Sequence, residues 1–146
     1  MGEQSKIIGI DPGKNGGIAV FADGVMQAWA MPDTEADVAE LLWDFGRGKA
    51  FALLEKVHSM PKQGVKSTFT FGRGYGFLRG VLTAQRTPFD DVAPSTWQKS
   101  LSCLTKGDKN VTKQKAQQLF PDLHITHKVA DAILICEYCR RTYGDC

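Results

Sequence analysis

Apolar runs in this chain are short, and two of them end on an acid. Residues 6–11 read as a buried strand, Ile7-Ile8-Gly9-Ile10, closed by Asp11 and followed at once by the turn Pro12-Gly13-Lys14-Asn15. Gly16 to Phe21 predicts a second strand, Asp23-Gly24 a hairpin turn, and residues 25–30 a third strand. Asp33 or Thr34 can cap a helix over 34–45, whose apolar face is Ala36, Val38, Leu41, Leu42 and Phe45; Gly46 and Gly48 end it. Residues 50–55 form a fourth strand, apolar enough to be central, and it closes on Glu55. After the loop Pro61-Lys62-Gln63-Gly64, residues 67–85 predict a long helix despite Gly72, Gly74, Gly76 and Gly80. Each internal glycine costs a helix roughly 1 kcal/mol against alanine. Four of them imply close approach of another backbone, either the sheet or a second subunit. Phe89 to Val92 is a short fifth strand, a helix starts near residue 95, and 104–110 reads as a polar loop. A basic helix over 112–120 and a closing helix over 128–143 complete the order. Strands first, then helix and strand in alternation, is an α/β order with a mixed sheet.

The acids matter because of where they stand. An unpaired carboxylate buried at the end of an apolar strand is costly, so a cation or a proton normally accompanies it. Asp11 and Glu55 occupy such positions, and Asp131 lies inside Val129-Ala130-Asp131-Ala132-Ile133, where helical spacing turns it toward a core. Three acids far apart in sequence, brought together, would bind a hard divalent cation through oxygen. They point to a Mg²⁺ or Mn²⁺ phosphodiesterase site.

Charge adds a second surface. The net charge of +2 hides an asymmetry: residues 15–46 contain no Lys or Arg, whereas 56–115 are strongly basic. Cations beside a carboxylate cluster suit a nuclease, because they hold phosphates while the acids hold the metal. At 146 residues, 1–146 is expected to be one domain, and its 42% hydrophobic content is that of an ordinary globular protein. No apolar stretch reaches the ~18 residues of a membrane span. The first six residues lack a signal-peptide core, so a cytoplasmic location is expected. Cys136-x-x-Cys139 has no second pair at zinc-ligand spacing and lies in the closing helix, so reduced structural or surface thiols are expected of the cysteines.

Ile8-Gly9-Ile10-Asp11-Pro12-Gly13, the acid at the end of the fourth strand, and Ala130-Asp131-Ala132 together resemble the RuvC-type Holliday-junction resolvases of the ribonuclease-H-like superfamily. Met60-Pro61-x-x-Gly64 and Phe71-Gly72-Arg73-x-Tyr75-Gly76 look like the small versions carried by phages and prophages, which implies a bacterial or phage-infected cell. The resemblance spans residues 7–140. It implies a five-stranded sheet in the order 3-2-1-4-5, flanked by helices, with the first three strands antiparallel neighbours. It implies two divalent ions, Mg²⁺ or Mn²⁺, per active site: Asp11 bridging them, Glu55 holding one and Asp131 the other. The implied chemistry is in-line hydrolysis of a phosphodiester, leaving a 5′-phosphate.

Relatives often place an acid or histidine three or four residues before the last aspartate. Here His127 shares a helix face with Asp131 and is the candidate fourth ligand; Lys128, positioning a phosphate, is the alternative. Expected DNA contacts are Lys56, His58, Lys62 and Lys66 after the second acid, Arg73 on the long helix, Lys106, Lys109, Lys113 and Lys115 further on, and Lys128. The implied partner is a four-way or branched DNA, bound by a homodimer joined through the glycine-dotted helix with Phe71, Tyr75 and Leu78. Two rivals remain: a nuclease of the same fold for RNA–DNA hybrids, favoured if the chain is monomeric, and a junction-binding protein without catalysis.

Overall fold

The computed structural model describes residues 5–56 and 64–144. Strands β1 (Lys6–Asp11), β2 (Gly17–Ala22), β3 (Val25–Ala30), β4 (Ala50–Glu55) and β5 (Phe89–Val92) form one sheet in the order β3-β2-β1-β4-β5. β1, β2 and β3 are antiparallel neighbours, while β4 and β5 join in parallel, so the expected order and pairing both hold. Helices α1 (Glu35–Gly46) and α2 (Val65–Ala84) cover one face; α3 (Pro94–Ser100), α4 (Lys109–Leu119) and α5 (His127–Tyr143) cover the other. No helix among the described residues is long and apolar enough to cross a membrane.

Strand periodicity sorts the side chains between the two faces. Ile8, Ile10, Ile18, Val20, Ala52 and Leu54 pack against Val38 and Leu42 of α1 and Leu78 and Leu82 of α2. The alternate positions Ile7, Ala19 and Leu53 pack against Ile133 and its neighbours in α5. Asp11 and Glu55 fall on the α5 side by the same alternation, two residues beyond Gly9 and Leu53.

Gly9 is what lets α5 lie on β1. A Cβ there would stand 2.6 Å from the Ala132 carbonyl oxygen and 2.8 Å from Cys136 Cα, and closer still to the Cys136 nitrogen. Gly17 does the same for the start of α5, where a Cβ would meet the Lys128 carbonyl at 2.6 Å. Cys136 and Cys139 are buried free thiols on this helix, with Cys136 Sγ donating to the Ile7 carbonyl at 3.3 Å.

Thr34 caps α1, its Oγ1 accepting from the Asp37 N–H at 3.1 Å. α4 begins three residues before the expected 112. The Asp108 side chain accepts from the Asn110 N–H at 3.0 Å and starts the helix inside the segment read as loop. α5 begins at His127, one residue early.

The long helix departs from expectation more instructively. Among the described residues, a Cβ at Gly72, Gly74, Gly76 or Gly80 would have nothing within 4 Å, so these glycines do not admit the sheet. Leu78 is 3% exposed in the chain's own core and cannot supply a subunit interface. Tyr75 is engaged as well: its hydroxyl donates to Asp91 Oδ1 at 2.7 Å, and Arg79 reaches Asp91 Oδ2 at 2.8 Å, tying α2 to β5. Periodicity alone could not show which side of an irregular helix meets the sheet. Val65 and Phe69, at 88% and 67% exposure, are the apolar side chains that α2 leaves outward, whereas the half-exposed Phe71 ring lies over Gly13, where a Cβ would stand 3.3 Å from it.

Candidate active site

Two strand ends and a helix bring the three acids together. β1 and β4 are parallel with Ile10 beside Leu54, so the next step along both strands sets Asp11 beside Glu55. Their carboxyls are hydrogen-bonded to each other. Asp131 sits one turn into α5, close enough for its charge to act on both.

Each carboxyl titrates upward. Burial, then the charges of Glu55 and Asp131, push Asp11 well above the ordinary carboxylate range, with Lys109 opposing. Burial raises Glu55 to about 7, Asp131 adding to it, although the Trp97 N–H and the bond to Asp11 favour the anion. Burial also raises Asp131, against a hydrogen bond from the Thr112 side chain and the charges of Lys109 and His127.

These shifts set a pH dependence of stability. A carboxyl raised in the folded state stabilises the fold below its unfolded value, and that contribution is lost as pH rises through the folded value. For Glu55 the window runs from the ordinary 4.5 to about 7. In chelator, Glu55→Gln is therefore expected to stabilise the protein more at pH 8 than at pH 5, by on the order of 1–2 kcal/mol. Urea unfolding of both proteins at the two pH values measures it; a difference that does not change with pH contradicts the assigned shift.

Among the described residues, no three His, Cys, Asp or Glu side chains converge into a ready-made metal cage. The donor set nevertheless fits a hard cation. Mg²⁺ takes one or two carboxylates and fills its remaining positions with water and substrate phosphate. Asp11 and Glu55 stand within hydrogen-bonding reach, where one proton can offset the repulsion of the two carboxylates, and the charge of Asp131 acts on both. A divalent ion would take over the role of that proton.

The remaining expected residues divide. His127, exposed at the first position of α5, acts on Asp131 through its charge. Lys128 is exposed in the same turn, with its carbonyl against Gly17. Lys109 opens α4, and its charge favours the anionic forms of both Asp11 and Asp131. Lys56 is exposed directly after Glu55, Lys66 and Arg73 are exposed on α2, and Lys106 is exposed before α4. Lys113 and Lys115 are half-buried on α4, and the charge of Lys115 acts on Cys103. His58 and Lys62 lie outside the described residues.

Two residues were missed. Trp97 donates from Nε1 to Glu55 Oε2 at 2.7 Å, and Thr112 bonds Asp131. Trp97 is the lone large apolar side chain of the polar helix α3, which marks it as the side chain that α3 buries, and a buried indole needs an acceptor, so Trp97 was findable in principle. Nothing in sequence marked Thr112, whose role comes from the packing of α4 on α5.

No family model matches the sequence, and no curated protein matches it significantly. Solved structures do match. Thermus thermophilus RuvC superposes with a TM-score of 0.64 at 17% identity, covering 94% of this chain and 96% of that one. T. thermophilus RuvC in complex with a Holliday junction substrate gives 0.66 at 16% identity, covering 96% and 97%. At these identities the likeness is one of architecture, and it extends over nearly the whole of both chains: this protein has the RuvC-type, ribonuclease-H-like fold.

Proposed function

We propose that this chain is a divalent-cation-dependent endodeoxyribonuclease that cuts four-way or branched DNA by paired nicks, leaving 5′-phosphates. The observation that carries this reading is the meeting of Asp11, Glu55 and Asp131, from two strand ends and a helix, beside the Lys109 ammonium. A RuvC of the same fold has been solved on a Holliday junction, which favours DNA of that shape as the substrate.

In this mechanism Asp11, Glu55 and Asp131 hold Mg²⁺ or Mn²⁺, two ions in all, with His127 completing the set. The ions supply Lewis acidity toward the attacking water and the departing oxygen. The chain does the rest. Lys109 faces the carboxylates from the start of α4 and is placed to balance negative charge that develops on the phosphate. Lys56, Lys66, Arg73 and Lys106 grip flanking phosphates without reading sequence. Water adds to phosphorus, the bond to the 3′ oxygen breaks, the water's proton passes to that oxygen, and the phosphate stays on the 5′ end.

Paired nicks on a two-fold junction call for two sites related by a two-fold axis. Val65 and Phe69 of α2, with Gly72, Gly76 and Gly80 on the same stripe of the helix, offer the face for a second copy. The protein is then expected to sediment at twice the chain mass of 16.1 kDa, and Phe69→Glu to halve it. A monomer at micromolar concentration contradicts the dimer and turns the reading toward a hybrid nuclease.

End-labelled fixed junctions, plain duplex and RNA–DNA hybrid, each with Mg²⁺ or chelator, test the substrate. Symmetric nicks confined to the junction are expected, with ends that ligase reseals. Preferential cutting of the hybrid overturns the junction assignment, and binding without cutting leaves a non-catalytic protein. In the same assay His127→Ala is expected to slow nicking more than Lys128→Ala; equal rates remove His127 from the site.

A further inference from the structure

Trp97 does something that packing does not require. Its side chain is fully buried in the core under α5, among Leu53, Val92, Leu101 and Val129, where a phenyl ring would satisfy the same apolar surroundings. A buried indole N–H without an acceptor is costly, so the residue belongs where an acceptor waits. That acceptor is Glu55 Oε2, at 2.7 Å. Glu55 ends its strand on a flexible side chain with several rotamers available to it. Trp97 approaches from a separate element, α3, held against β5 and α5 by the same core. The carboxyl is thus bonded to the indole and to Asp11 at once.

We propose that Trp97 is a positioning residue: its indole N–H fixes the Glu55 carboxylate in the orientation that receives a divalent cation. The inference rests on the reading that Glu55 is a cation ligand. Partners that orient a ligand in this way are worth roughly 10- to 100-fold in metal affinity. Trp97→Phe keeps the ring in the core and deletes only the donor.

Calorimetric titration with Mg²⁺ and Mn²⁺, without DNA, on wild type, Trp97→Phe and Glu55→Gln is the test. Alongside it, the indole ¹⁵N–¹H signals of the wild type are followed through the same titration. The chain has three tryptophans, so Trp97 is assigned by elimination with Trp29→Phe and Trp43→Phe. The expected result is a folded Trp97→Phe protein with cation affinity at least tenfold weaker, and a Trp97 N–H signal that moves as wild type saturates. Equal affinity in wild type and Trp97→Phe overturns the positioning role and leaves the cation site standing. Wild type that binds no better than Glu55→Gln overturns both. If Trp97→Phe fails to fold, the wild-type titration decides: a Trp97 signal that stays fixed while cation binding saturates overturns the proposal.

Discussion

Replacing Gly9 with alanine is expected to destabilise the protein by ~3 kcal/mol or more, lowering Tm by on the order of 10 °C. The new methyl group would point at α5 and stand 2.6 Å from the Ala132 carbonyl oxygen and 2.8 Å from Cys136 Cα. Both are backbone atoms of a helix buried on nearly every side, so no flexible side chain can give way. Either α5 moves off β1 or β1 distorts. Both outcomes separate Asp131 from Asp11, because the two acids ride on those two elements. Any folded Gly9→Ala protein should therefore also lose cation affinity. By contrast, Gly74→Ala, on the side of α2 away from Val65 and Phe69, meets nothing within 4 Å among the described residues and removes a poor helix former. It should leave stability unchanged or raise it slightly, by up to ~1 kcal/mol. Thermal unfolding of the two variants measures the contrast; a Gly9→Ala protein as stable as wild type contradicts the packing described here.

Those two glycines also mark what could be read from sequence. Gly9 sits in an apolar strand, where a missing side chain implies something close by, but sequence does not name the neighbour as α5, more than a hundred residues away. The glycines of α2 gave the same local signal with the opposite cause, since nothing among the described residues lies within 4 Å of where their side chains would stand. Strand order was legible because apolar runs ending on acids, together with the spacing of Asp11, Glu55 and Asp131, pointed to one known architecture. The surroundings of the acids were not legible. Lys109 was expected on the DNA side of the site, but Trp97 and Thr112 reach the acids from α3 and α4 through long-range packing, so even a tryptophan marked as buried did not declare that Glu55 would be its acceptor. The expected use of Leu78 in a subunit interface failed for a similar reason, as a helix with apolar residues on several sides does not declare which of them faces inward.

Asp11→Asn carries the largest expected effect on function. Asp11 is buried, bonded to Glu55 and repelled by Asp131, so it stays ionised only beside a cation and otherwise takes up a proton. The neutral amide removes that charge with little change in shape. Three consequences follow. Nicking should fall by on the order of 10³-fold or more, since the cation loses its most central ligand. Junction binding should persist with the same salt dependence, because affinity comes from lysines and arginines on phosphate. In chelator the variant should be more stable than wild type by ~1 kcal/mol, having lost a repulsive buried charge. That gain should vanish in saturating Mg²⁺, which stabilises only the protein that binds it.

The decisive measurement is the single-turnover rate at which wild type and Asp11→Asn nick a fixed four-way junction in Mg²⁺, at protein concentrations where both are shown to bind it. Symmetric cation-dependent nicking by wild type, with none above background from the bound variant, is the expected result. An Asp11→Asn protein that nicks the junction at the wild-type rate, or a wild type that nicks equally well in chelator, would contradict a site built on these three carboxylates.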